Sequence, residues 1–310
     1  MNDEPTTLVR AERVGDPAML IFAVGIRGEA AAQVGDIDEM DRCLDIEDAL
    51  AKRLDQPIDN WLRTYRRALR ALIAGDTDRA EQLATEALQI GPEGRQTVGV
   101  VFGAQMIEVH SQRGTIGTIV PLIEQSVAEN PGIPAFKSAV ARAHAEVDRT
   151  DEARCLLQDF AATGFALPMD QGWISGMIGY AAAAIECRDP NYAEPLFDRL
   201  APYARMFSTA GGASAQGPVS SYLGGLATVL GRYDEADACF AQSAAMSARI
   251  GTKYYAALTD LRWGKMLAER KAPGDTEKAR ELLTRARTVA AANTYGTIER
   301  RATEALSHLE

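Results

Sequence analysis

The sequence has little of what catalysis or metal binding usually requires. In 310 residues there are four cysteines and three histidines. Cys43, Cys155, Cys187 and Cys239 show no CxxC spacing, which leaves out the common zinc and dithiol frameworks. Three of them stand just before the aromatic or leucine position of an expected helix, so they read as reduced, half-buried packing residues. His110 and His144 fall late in two expected helices at equivalent positions. No acid or thiol stands at a matching spacing, so no metal site is expected. No HExxH, nucleophile elbow or dinucleotide fingerprint is present, and the expectation is a chain without catalytic residues or cofactor. Long apolar runs are missing too. The longest, near Ala18 to Ile26, is too short to cross a bilayer, and no basic segment leads into a secretory core and cleavage site. These absences point to the cytoplasm. Positive charge is also short: a net charge of -10 argues against general binding to phosphate backbones. Arg63, Arg66, Arg67 and Arg70 share one side of an expected helix, which reads as a solvated face.

What is there is a rhythm of small residues, clearest in YLGGLATVLGRYDEADACFAQSA at 222–244. Leu223, Gly224 and Ala227 form a narrow helical stripe that another backbone can approach closely. Leu226 and Leu230 extend the apolar face, and Gly231 suits a left-handed helix end. Asp234 and Glu235 place acid at the positive end of the next helix dipole. Ala236, Phe240 and Ala244 then recur at spacings of four on one face. Small residue, glycine turn, acid, alanine and aromatic together make an antiparallel helix pair.

The same order recurs. With Ala236 as the register residue, the other units align on Met40, Ala80, Ile119, Ala153, Ala193 and Ala279, at steps of 40, 39, 34, 40, 43 and 43 residues. Pro92 and Pro131 close two of the units. Seven copies of a helical hairpin that cannot bury its own apolar face imply stacking in sequence order.

These residues resemble the tetratricopeptide repeat, whose pattern is a small residue in helix A, glycine before the turn, alanine and an aromatic in helix B, and proline at the exit. The departures are the missing helix-A tryptophan, Met40 and Ile119 in place of alanine, and steps near forty. A narrower resemblance rests on RLDQPIDNW, YRRALRALIAGDTDRAEQLATEALQIG, VPLIEQSVAENPGIPAFKSAVARAHAE and GPVSSYLGGLATVLGRYDEADACFAQSAAMSARIGTKYYAALT. These phrases look like the C-terminal repeat region of large actinobacterial regulators, in which an ATPase, adenylate cyclase or LuxR-type helix-turn-helix module adjoins such an array. The resemblance implies an all-α fold, a right-handed superhelical solenoid of about seven antiparallel helix pairs.

The expected organisation is an N-terminal segment at 1–16, a repeat array at 17–292 and a capping helix at 293–310. The helix pairs fall at 18–34 and 37–55, 59–90, 96–113 and 116–129, 134–147 and 150–163, 172–187 and 190–204, 218–230 and 233–249, and 253–270 and 275–292. Pro121 should either bend its helix or mark a later start. Ser208 to Pro218, STAGGASAQGP, breaks the rhythm. It lacks the Gly-Lys-Ser/Thr ending of a phosphate loop, and it reads as a mobile connection that could still contact a partner.

Function is then expected from surfaces. In the repeat family helix A lines the concave groove, and transferring its inward positions gives Tyr65, Glu108, Ser138, Arg142, Ser221 and Lys265 as partner-binding candidates. The expectation is a non-enzymatic interaction scaffold or regulatory arm that grips a protein or peptide, without nucleic acid or membrane. An ATPase, cyclase or helix-turn-helix module encoded nearby is the kind of partner implied. The alternative is a sensor of a peptide or small metabolite enclosed by the superhelix.

Overall fold

Acid before a helix and glycine after it set the boundaries that the backbone follows. The structure, a computed structural model, describes residues 15–130, 133 and 135–309. Most of the expected N-terminal segment, and Pro131, lie outside the described residues. The helices run in pairs: α1 (Pro17–Val34) with α2 (Ile37–Leu54), α3 (Pro57–Ala74) with α4 (Thr77–Ile90), and α5 (Gln96–Arg113) with α6 (Val120–Glu129). Then come α7 (Phe136–Glu146) with α8 (Thr150–Ala162) and α9 (Trp173–Cys187) with α10 (Pro190–Leu200). The last are α11 (Val219–Val229) with α12 (Tyr233–Ile250), α13 (Lys253–Arg270) with α14 (Asp275–Asn293), and the terminal α15 (Gly296–Ser307). Asp16, Asp36, Asp76 and Asp189 each accept a backbone N–H in the first turn of the helix they open. Gly35, Gly75 and Gly114 close α1, α3 and α5 in the left-handed conformation.

Successive helices pack against one another along the chain. The close approach foreseen at 222–244 is real: a methyl group on Gly224 would lie 2.8 Å from the Phe240 ring. Met40, Ala80, Ala153, Ala193, Ala236 and Ala279 are all buried. Ile119 is only half-buried. Pro121 is the reason: it sits in the first turn of α6, which begins at Val120 after a short 3-10 turn at Ile116–Thr118. Of the two outcomes expected for Pro121, the later start is the one found.

The arginines of α3 are not a solvated face. Arg63 reaches Asp48 at 3.5 Å, Arg67 reaches Asp45 at 3.0 Å and Asp48 at 2.5 Å, and Arg70 reaches Asp41 at 2.7 Å. Arg66, itself buried, pairs with the buried Glu47. The four therefore tie α3 to the acidic side of α2.

The described chain is 79% helix, with one two-stranded sheet. That sheet corrects the expectation of a mobile connection at 208–218. Strand β1 (Phe207–Ala210) pairs antiparallel with β2 (Ser214–Pro218), with an irregularity between Ser208 and Thr209. The hairpin is buried among α1, α3, α5, α9, α11 and α12. Phe207, Ser208 and Ala215 have no exposed surface.

The row of helices also meets itself. One apolar core joins Ala32, Leu44, Leu69 and Ile73 from α1 to α3 with Tyr254, Leu261, Ala290 and Ile298 from α13 to α15. Arg249 donates to the Val34 carbonyl at 2.6 Å, and the Tyr295 hydroxyl donates to the Gly75 carbonyl at 2.8 Å. The hairpin lies inside this closure.

Candidate functional site

The interior is polar where the first helices of neighbouring pairs face one another. Glu108 and Ser111 sit one turn apart on α5, and Arg142 and Glu146 one turn apart on α7. Arg142 makes a bidentate pair with Glu108 at 3.0 and 2.9 Å, donates through Nε to Glu146 at 2.7 Å, and reaches the Ser111 hydroxyl at 2.6 Å. Burial opposes its charge, but Glu108 and Glu146 outweigh burial and hold the guanidinium well above its ordinary pKa. Such a network is anchored only while every member is present.

The hairpin joins this network through Gln216. Its amide donates to Glu108 at 3.2 Å and to Ser214 Oγ at 2.9 Å, while its side-chain oxygen accepts from Ser208 at 2.9 Å. Tyr222 donates to the Gln216 carbonyl at 2.8 Å, and Tyr255 donates to the Ala215 carbonyl. At the other end Gln33 donates to Thr209 at 3.2 Å. Gly217 has φ +93 and lies directly against the Tyr255 ring, so only a residue without Cβ fits there.

Beside the hairpin is a cavity of about 40 Å³. Its walls carry Glu108 and Arg142, then Glu146, Glu186, Tyr222, Tyr254, Tyr255, Arg262 and Arg301. Arg301, on α15, is held by Glu186 of α9 at 2.8 Å. Arg262, on α13, has no carboxylate within salt-bridge distance among the described residues; it donates to Ser221 Oγ at 3.2 Å and lies 4.6 Å over the Tyr222 ring. Burial raises the pKa of Tyr222, Tyr254 and Tyr255, so these phenols stay protonated.

The candidate residues from the sequence fall in four places. Glu108 and Arg142 line the cavity, and Ser221 holds Arg262 at its edge. Tyr65 is buried beneath the hairpin turn, its ring close to Gly212 and 4.7 Å from that of Trp61. Ser138 is buried in a helix contact, donating to the Ala135 carbonyl at 2.6 Å and packing against Gly179. Lys265 is exposed on the outer side of α13. Tyr222, Tyr254, Arg262 and Gln216 escaped the sequence reading. Tyr254, Leu258, Leu261 and Arg262 do share one helical face, a signal that the family's groove positions did not cover.

All four cysteines are free. Burial pushes the Cys43 and Cys239 thiols up to about 11 and also raises Cys187, which makes them poor nucleophiles. Cys155 departs from expectation in being exposed. His144 is buried with Nε2 3.1 Å from Glu124, while His110 bonds Thr115 at 2.8 Å. Among the described residues no three His, Cys, Asp or Glu side chains are placed to hold a metal, and no helix is long and apolar enough to cross a membrane. No protein-family model matches the sequence, and no curated protein matches it.

Proposed function

We propose that this chain is a non-enzymatic sensor arm: a right-handed superhelical array of tetratricopeptide-like helix pairs that encloses a small polar ligand and reports its presence through the array's curvature. The observation that carries this reading is where the cavity lies. Residues of α5, α7 and α9 meet residues of α13 and α15 around it, so a bound molecule touches early and late units together. Binding only the closed form favours that form by mass action. A signalling partner, such as an ATPase, cyclase or helix-turn-helix module in the cytoplasm, would then read the outer surface.

The test is a thermal-shift screen against small polar metabolites, followed by hydrogen exchange. A ligand of this kind raises the unfolding midpoint and slows exchange in α13 and α15. A hit that protects only the outer faces of the helices would refute the reading.

A second reading, a groove that grips a peptide, is favoured by the hairpin itself. It lies extended across Tyr65 and Glu108, where a bound peptide would lie. Replacing 208–217 by a glycine-serine linker and adding the 207–218 peptide in trans tests it. Binding to the linker variant supports a groove that accepts an extended peptide, and no binding to it removes this reading.

A further inference from the structure

The charges around the cavity are balanced in sum but divided in space. Glu108 and Glu146 share the single charge of Arg142, which leaves an excess of negative charge on the α5 and α7 side. Glu186 is matched by Arg301. Arg262 is the surplus positive charge on the α13 side, and its guanidinium carbon lies 4.6 Å from the centre of the Tyr222 ring. Three groups keep unused hydrogen-bonding capacity. Glu146 accepts from Arg142 and Ser111 through Oε1 alone, and among the described residues nothing donates to its Oε2. Tyr254 is 8% exposed, lines the cavity, and its hydroxyl has no hydrogen-bond partner among the described residues. Arg262 uses one donor of five on Ser221.

Size narrows the choice. A cavity of 40 Å³ holds about three waters. Three waters fill roughly 90 Å³ of liquid, the space of a molecule of about five or six non-hydrogen atoms. An anion alone would add to the carboxylates already present, and a cation alone would face Arg262 unpaired. A molecule with both charges a few bonds apart leaves the balance unchanged.

Resting on the sensor reading above, we propose that the cavity binds the smallest zwitterionic amino acids, glycine or alanine, with the carboxylate on Arg262 and the Tyr254 hydroxyl and the ammonium on Glu146. Each polar group of such a ligand meets hydrogen-bonding capacity that Arg262, Glu146 and Tyr254 leave unused among the described residues. A larger side chain has no room beside Leu258 and Leu261.

The experiment uses the full chain, with glycine, L-alanine, L-leucine, sodium acetate and methylammonium chloride as probes, read by calorimetry and thermal shift. Glycine or alanine should bind and raise the midpoint by several degrees at saturation, while leucine, acetate and methylammonium should not. Arg262→Gln and Glu146→Gln should each weaken binding at least about tenfold, Tyr254→Phe should weaken it less, and Lys265→Gln on the outer face should leave it unchanged. Because Glu146→Gln disturbs the Arg142 network, Arg262→Lys provides a second variant: it keeps the charge, loses the planar fork and should bind more weakly than the intact chain. Equal binding of acetate, or full binding by Arg262→Gln, overturns the proposal. Failure of both amino acids while another compound from the metabolite screen protects α13 and α15 overturns the ligand class and leaves the sensor reading standing; failure of every compound in that screen counts against the sensor reading itself.

Discussion

Glu47 is 1% exposed, its Oε2 has no hydrogen-bond partner among the described residues, and the buried Arg66 guanidinium pairs with its other oxygen. Burial, only partly offset by Arg66, pushes its carboxyl up to about 7. The folded chain therefore holds this proton more tightly than the unfolded chain does. Its contribution to stability is complete below about pH 4.5, the ordinary glutamate value, and declines as pH rises through about 7. Carbon-13 NMR of the glutamate carboxyls, assigned with Glu47→Gln, should show one resonance titrating near neutrality; an ordinary value near 4.5 would contradict it. Ala236 and Glu235 provide a paired test of the register. Ala236 has no exposed surface and Glu235 is exposed. Ala236→Arg should cost roughly 3 kcal/mol or more in urea unfolding, and Glu235→Arg at most about 1 kcal/mol. These alanines were legible because a gap of that size is demanded locally, by a helix a few residues away. Ile119 misled because Pro121 moved the start of the helix, and the alignment followed the spacing of side chains instead of the backbone.

Among the elements, the β1–β2 hairpin was the least legible. Glycine, serine and alanine in STAGGASAQGP carry no hydrophobic alternation, and composition assigns such a segment to solvent. What buries it is remote in sequence: Gln216 bonds Glu108, 108 residues away, and Tyr255 reaches Ala215 from 40 residues away. No window of neighbouring residues contains that information. Gln216→Ala should remove both donors, leave Glu108 one partner short, and destabilise the fold by about 1–3 kcal/mol. Limited proteolysis reads the same change. The intact chain should resist cleavage within 208–217, and the variant should be cut there faster. By contrast, most helix pairs were legible to within a residue or two, helped where an aspartate cap or a glycine end marks them, while α6 starts later and α10 ends earlier than expected.

At the scale of the whole molecule, the contacts that hold α15 against α5 and α3 against α13 decide the outline. Shortening the chain after Thr294 removes the Tyr295 hydroxyl from Gly75 and Arg301 from Glu186. Small-angle scattering of that shortened protein should show a larger radius of gyration, and protease should reach the hairpin; an unchanged radius would mean that α15 only covers an end. Pair order along the chain could be read from the repeated alanines. Closure could not, because Tyr295 and Gly75 are ordinary residues in their own units and acquire their meaning 220 residues apart.

That enclosed hairpin imposes an order of events on assembly. A segment surrounded by helices has to be seated before the first and last units join, so the longest-range contacts form late and carry the largest loop-closure entropy. Open arrays lose their units one at a time from the ends. Here the first turn lost takes its partner on the opposite side with it, and melting should run as one concerted transition for the entire chain.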